Sequence, residues 1–314
     1  MTTALNPNQT TPSPFDLDNE DLYKAWRDVK LESHPTSLGD LVVEIDDPRK
    51  LTPPELAAIM ERLRKANMAV YVGNTGDDPD RGIPHAIARQ LDLRRINHNW
   101  LADDDGLTSL TVIDEGTRNH YIPYTDKLIQ WHTDGYYNKA EEQIHALNLH
   151  CVCPAAEGGV NRLMDHEIAY IMVRDADPDY IRALMAPDAM TIPARIEAGG
   201  IVARREEAGP VFSTDAATGA LHMRYTIRKH NVFWKDDLLT QAALTCLGNI
   251  LEGDTPFILQ GRLEPGMGLI SNNVLHDRSA FSDDTDHKRL LYRARYFDRI
   301  PGTGITDVYP ELVG

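Results

Sequence analysis

Apolar residues recur along this chain at two spacings, and the change from one to the other divides it. Before residue 108 the helical repeat dominates. Asp18–Lys30 has helical spacing, and Leu51-Thr52-Pro53-Pro54-Glu55 predicts a helix start, with Thr52 as cap, Pro53 in the first turn and Glu55 three residues on. That helix is expected through Leu56–Ala66, then a strand at Met68–Val72 and a second helix near Ile83–Leu91. From Thr108 the pattern changes to short β-type runs: Ser109–Ile113, Ile129–Tyr136, Ile144–Val152 and Arg162–Asp165. Helices are expected at Glu167–Arg174, Asp179–Met185 and Leu238–Leu251. Further strands fall at Met190–Pro193, Val211–Ser213, His222–Ile227, Pro256–Leu259, Gly268–Asn272 and Leu290–Phe297.

Regular strand–helix alternation is missing, so a doubly wound parallel sheet is not expected. Short strands interrupted by helices suit an α+β chain with a jelly-roll core dressed by helices. No phosphate-cradling glycine motif is present, which argues against a nicotinamide enzyme. Residues 1–15, rich in Thr, Pro and Asn, are expected as a disordered tail, and residues 16–314 as a single domain.

Alternation exposes one strand in particular. In Arg289–Phe297, Leu290, Tyr292, Ala294 and Tyr296 share an apolar face, while Arg289, Leu291, Arg293 and Arg295 share the other. Three guanidinium groups on one strand face need anionic partners, and arginine is shaped for a two-pronged grip on a carboxylate. Upstream, His132 and Asp134 stand two apart, so on a strand they point to one side. A second histidine follows at His276. Two histidines and a carboxylate on one face of a metal leave the opposite positions open, as in non-haem Fe(II) oxygenases. Another strand alternates too. His222, Arg224, Thr226 and Arg228 share a face, and Arg224 is a candidate contact for an anionic substrate. Tyr136, directly after the His-x-Asp pair, is a candidate for the mouth of the site.

Bulk properties set limits. A net charge of −16 over 314 residues argues against a nucleic-acid or anionic-membrane surface. No stretch is apolar enough to span a membrane, and the N-terminus lacks the marks of a secretory signal, so the cytoplasm is the expected location. Three cysteines, Cys151, Cys153 and Cys246, make no disulfide framework.

Taken in order, Trp131-His132-Thr133-Asp134-Gly135, Gly158-Gly159, Asn273-x-x-His276-Asp277-Arg278-Ser279-Ala280-Phe281 and Arg289–Tyr296 resemble the Fe(II)/2-oxoglutarate dioxygenases of the taurine dioxygenase (TauD/TfdA) family. The set is also similar to clavaminate synthase and, in the H-x-R-x-x-F element, to γ-butyrobetaine hydroxylase. The resemblance spans about Leu51 to Ile300 and implies a double-stranded β-helix (jelly roll) with iron at one mouth. It implies His132, Asp134 and His276 as iron ligands and Arg289 as partner of the far carboxylate of 2-oxoglutarate. Arg293 would be a second arginine for substrate or co-substrate. Where the taurine type has a threonine after its Gly-Gly, this chain has Asn161, whose amide could hold 2-oxoglutarate instead. An intact Asp134 favours hydroxylation or another oxidation over halogenation. The implied partners are Fe(II), 2-oxoglutarate, O2 and a small anionic or zwitterionic substrate, with 2-oxoglutarate decarboxylated to succinate and CO2. Homo-oligomers are frequent in the family. The competing reading is a jelly-roll hydrolase or isomerase that uses the same triad without 2-oxoglutarate.

Overall fold

The computed structural model describes residues 12–98, 102–113, 116–196, 199–200, 202–216, 218–228 and 232–313. Two sheets carry the fold. The larger has six strands in the spatial order Val42–Glu44, Met68–Val72, Met267–Ser271, Ala146–Cys153, Leu290–Tyr296 and Thr108–Leu110. The smaller has four: Leu259–Gly261, Asn161–Met164, Leu275–Arg278 and Ile129–His132. Pairing is antiparallel except between the first two strands of the larger sheet. Between the sheets lies one apolar cluster, with Val70, Leu147, Leu149, Cys151, Leu269 and Leu291 from the larger and Leu163 and Leu259 from the smaller. This is the expected jelly-roll core, open rather than closed into a barrel.

Period-2 alternation explains both outer faces. Tyr71, Ala146, Ile270, Tyr292, Ala294 and Tyr296 leave the back of the larger sheet and meet Ile59 and Leu63 of helix Pro53–Ala66 and Ile87 of helix Gly82–Gln90. Thr52 and Glu55 form the capping box expected for the first of these helices. Trp131, Met164 and Leu275 leave the back of the smaller sheet and pack on helices Glu20–Ser33, His166–Ala176, Pro178–Leu184 and Leu238–Glu252. Phe15, at the end of the segment expected as a tail, belongs to this core: it is buried edge-on against Trp26 and Tyr170. The rest of that tail, residues 1–11, lies outside the described residues. No helix among the described residues is long and apolar enough to cross a membrane.

A buried ionic cluster ties the helical layer to the smaller sheet. Lys30 on the first helix, fully buried, reaches Asp165 Oδ2 at 2.7 Å and Glu167 Oε2 at 2.5 Å. Asp165 also accepts from the Asn67 amide at 3.0 Å and caps the following helix through the Glu167 N–H. Removing the cation strands two carboxylates in the interior. Lys30→Met is therefore expected to cost about 3–5 kcal/mol of unfolding free energy, read as a lowered urea midpoint. A change under 1 kcal/mol would show that these carboxylates find other partners.

Candidate metal centre

His132 and His276 are direct cross-strand partners: strand Ile129–His132 pairs antiparallel with Leu275–Arg278, in the register His276↔His132. Opposed residues project from the same face with Cβ atoms about 4.5–5.5 Å apart, and here the two imidazole centroids lie 4.3 Å apart. Both face the space between the sheets. Each ring is oriented by the carbonyl two residues before it: His132 Nδ1 lies 2.8 Å from Gln130 O, and His276 Nδ1 lies 2.9 Å from Val274 O. A carbonyl only accepts, so Nδ1 carries the proton and Nε2 presents its lone pair, the arrangement usual for metal-bound histidine.

Asp134 completes the set by a different route from the one its spacing suggested. The strand ends at His132 rather than running to Tyr136, and Asp134 sits in the turn that follows. Its backbone is held by Asn273, which accepts from the Asp134 N–H at 2.8 Å and donates to Asp134 O at 2.9 Å and Ile144 O at 2.7 Å. Asn273 has φ 55°, a left-handed conformation that asparagine tolerates better than most residues. Gly135 follows at φ 69°, where a Cβ would fall 2.4 Å from Ile144. Ligand atoms of His132, Asp134 and His276 all lie within 4.8 Å of one another, and no other such group occurs among the described residues.

The protonation states suit a cation. Burial, reinforced by His276, pushes the His132 imidazole down to about 3, so it is neutral at physiological pH. For Asp134, burial opposes ionisation, but Arg293 and Arg295 outweigh it and hold the carboxyl well below the usual range. Arg293 Nη1 donates to Asp134 Oδ1 at 3.1 Å and contacts Oδ2 at 3.4 Å. Arg295 Nη1 lies 3.9 Å from Oδ1 and is fixed by Tyr137 Oη at 2.9 Å, while its Nη2 meets Asn97 Oδ1 at 2.8 Å. Arg293, expected at the substrate or co-substrate, is thus placed on the ligand carboxylate itself. Arg295 had no assigned role in the sequence; alternation put it on the right face, but nothing local pointed to Tyr137 or Asn97.

Arg289 differs from its neighbours. It is 4% exposed, its Nη1 approaches Leu110 O at 3.5 Å, and its guanidinium lies 5.0 Å from the Phe281 ring centroid. On that same ring, at 4.7 Å, lies the guanidinium of Arg278, also buried, with Nη2 donating to Thr125 O at 2.8 Å. Neither cation meets a carboxylate among the described residues. Burial pushes Arg289 down to about 10 and Arg278 to about 9, so both stay charged at neutral pH. Two buried, uncompensated cations are costly unless an anion joins them. A cavity lined by Arg289, Gly159, Asn161 and Arg262 adjoins Arg289. Asn161, named from the resemblance, lines this cavity, and its amide donates to Asp277 O at 2.8 Å.

Two softer candidates separate. Arg224 is not available to a substrate. Its Nε, Nη1 and Nη2 donate to the carbonyls of Tyr136 (2.7 Å), Met190 (3.1 Å) and Glu207 (3.0 Å), so it braces three chain segments. Alternation placed it facing inward, but no sequence pattern reveals that carbonyls would absorb it. Tyr136 follows Asp134 by two residues, its ring edge-on to Tyr137 with centroids 5.3 Å apart.

A model of the family described as "Taurine catabolism dioxygenase TauD, TfdA family" matches residues 32–295. A uridine-5'-phosphate dioxygenase from an Amycolatopsis species is 32% identical over 171 residues, 53% of this chain and 60% of that protein. Another of that name from a Streptomyces species is 28% identical over 201 residues, 61% of this chain and 70% of the relative. The matched stretch thus spans less than two thirds of the first relative's length. Among solved structures, the non-heme iron oxygenase OrfP in complex with Fe and alpha-ketoglutaric acid superposes with a TM-score of 0.53 at 16% identity. That match covers 88% of this chain and 91% of the other; at this identity the likeness is one of fold.

Proposed function

Because the chain belongs to the taurine catabolism dioxygenase TauD, TfdA family, we propose that it is an Fe(II)- and 2-oxoglutarate-dependent dioxygenase that hydroxylates a small anionic metabolite. The observation that carries this reading is the pairing of two features. Two imidazoles and an ionised carboxylate converge within 4.8 Å, and the buried guanidinium groups of Arg289 and Arg278 meet no carboxylate directly among the described residues. The first fits a divalent metal, the second a dianionic co-substrate. When bound, these groups supply O2 activation coupled to decarboxylation of 2-oxoglutarate to succinate and CO2, with oxidation of a substrate C–H bond.

Each side chain then has a defined task. His132, His276 and Asp134 hold the metal, with Nδ1 of each imidazole anchored to the backbone. Asn273 fixes the turn that presents Asp134. Arg293 and Arg295 keep that carboxylate ionised, and Arg289, with Arg278 and Asn161 nearby, holds the far carboxylate of 2-oxoglutarate. A hydrolase or isomerase without 2-oxoglutarate would leave the buried Arg289 and Arg278 without a directly paired anion among the described residues. Both curated relatives are named for a nucleoside 5'-phosphate, which supports a phosphate monoester as the substrate's anionic group. A cytoplasmic setting suits reduced iron and 2-oxoglutarate.

The test is an anaerobic titration with Fe(II) and then 2-oxoglutarate. A weak visible charge-transfer band is expected, absent in His132→Ala. A protein that binds iron yet never develops the band with 2-oxoglutarate would overturn the proposal.

A further inference from the structure

We propose that Tyr137 and Asn97 are positioning residues for the metal centre: together they hold Arg295 away from Asp134 and so keep the ligand carboxylate open to a cation. The inference rests on the metal-binding part of the reading above and assigns roles to two residues outside the ligand set.

The arginine's own contacts carry it. Arg295 pairs across the larger sheet with Leu147, which lies in the apolar cluster between the sheets, so its side chain points inward, where it is buried. Its Nη1 donates to Tyr137 Oη at 2.9 Å and its Nη2 to Asn97 Oδ1 at 2.8 Å. Both acceptors are neutral. Asp134 Oδ1 lies 3.9 Å from the same Nη1, near enough to attract it but outside hydrogen-bond range. That order inverts the intrinsic preference, because a charge-assisted bond to a carboxylate is about twice as strong as one to a neutral acceptor. The fold overrules the preference by where it puts the two neutral partners.

Each partner is anchored through its backbone. The Asn97 N–H donates to Arg295 O at 2.7 Å, and Ile96 bridges Tyr296, so this segment runs along the edge of the strand that carries Arg295. Tyr137 stands in the turn that begins at Asp134. Asn273 grips the start of that turn. Asn138 closes its end, with its N–H on Gly135 O at 2.8 Å and its side-chain amide on Glu142 O at 2.7 Å. One short turn thus presents both the ligand carboxylate and the phenol that restrains the arginine. Arg293 already takes part of Asp134, reaching Oδ1 at 3.1 Å and Oδ2 at 3.4 Å. A carboxylate accepts at about four lone-pair sites. A second guanidinium closing on Oδ1 would compete with a metal for what Arg293 leaves.

The experiment is equilibrium dialysis of metal-free protein against Fe(II) under nitrogen, with circular dichroism to confirm folding. Tyr137→Phe removes only the hydroxyl, and Asn97→Ala only the amide. Each is expected to weaken Fe(II) binding about tenfold, the lower end of the 10–100-fold typical for outer partners of metal ligands. The signature lies in the coupling. In an Arg295→Met background neither substitution should weaken Fe(II) binding further, because no guanidinium remains to be held back. Asn97→Asp, which offers Arg295 a stronger anchor, should bind Fe(II) at least as tightly as wild type. Wild-type affinity in both Tyr137→Phe and Asn97→Ala would overturn the proposal. So would an undiminished loss in the Arg295→Met background, the mark of a merely structural role, or an Asn97→Asp protein as weak as Asn97→Ala. A wild type that takes up no Fe(II) overturns restraint and dioxygenase reading together. One that binds iron without forming the charge-transfer band defeats the dioxygenase reading alone, since the dialysis uses no 2-oxoglutarate and still decides the restraint.

Discussion

Asp134→Ala is expected to lose Fe(II) affinity more severely than His132→Ala or His276→Ala. Outer partners of metal ligands are worth about 10–100-fold in affinity, so loss of a ligand belongs at or beyond the upper end of that range. The aspartate variant carries an added penalty. Arg293 and Arg295 are both directed at this carboxylate, at 3.1 and 3.9 Å. Without it, two guanidinium groups face a site meant for a cation and repel it. The histidine variants leave that neutralising pair intact. Equilibrium dialysis with Fe(II) under nitrogen, with circular dichroism to confirm folding, gives the ranking. An Asp134→Ala protein that binds iron within tenfold of wild type would remove this residue from the centre.

The second large effect concerns Arg289. Arg289→Met should leave Fe(II) binding intact, since the side chain touches none of the three ligands, and should raise the 2-oxoglutarate requirement by roughly a hundredfold. That magnitude corresponds to about 1.5–3 kcal/mol for each lost hydrogen bond to a charged group. Stability should move the other way. Arg289 is 4% exposed, and burial pushes its guanidinium down to about 10 in the folded state. A basic group with a depressed folded pKa is one whose charged form the fold disfavours, so at neutral pH the charge works against folding until an anion arrives. The co-substrate-free variant is therefore expected to melt no lower than wild type, and 2-oxoglutarate should raise the melting temperature of wild type alone. A variant that melts lower and keeps normal co-substrate affinity would assign Arg289 to the scaffold.

Legibility in the sequence followed the range of the interaction. Alternation over Arg289–Tyr296 separated the faces correctly, because a strand's side chains obey period 2 whatever lies opposite: Tyr292, Ala294 and Tyr296 are outside and Leu291 inside. The cap at Thr52 was legible because it involves three neighbouring residues. His132 and His276 were marked by residue type, and Asp134 was named for a partly mistaken reason, since it lies in a turn and owes its position to Asn273. That asparagine stood inside the Asn-x-x-His element, yet its partner is far away in sequence. Arg224 and Arg293 carry the same charge and both face inward. One is consumed by three carbonyls and the other by Asp134. Only the folded chain distinguishes them.

The pairing of His132 with His276 has a consequence for how this protein matures. The proposed metal centre is built across a long gap, with Asp134 and Asn273 at a sequence separation of 139, so no local segment of the nascent chain contains it. Contacts of such separation form late and slowly. A slip of one residue between Ile129–His132 and Leu275–Arg278 would turn His276 outward and bring Leu275 or Asp277 against His132. Iron capture thus reports on register. All three side chains can meet one ion only when this strand pair has closed in the register His276↔His132.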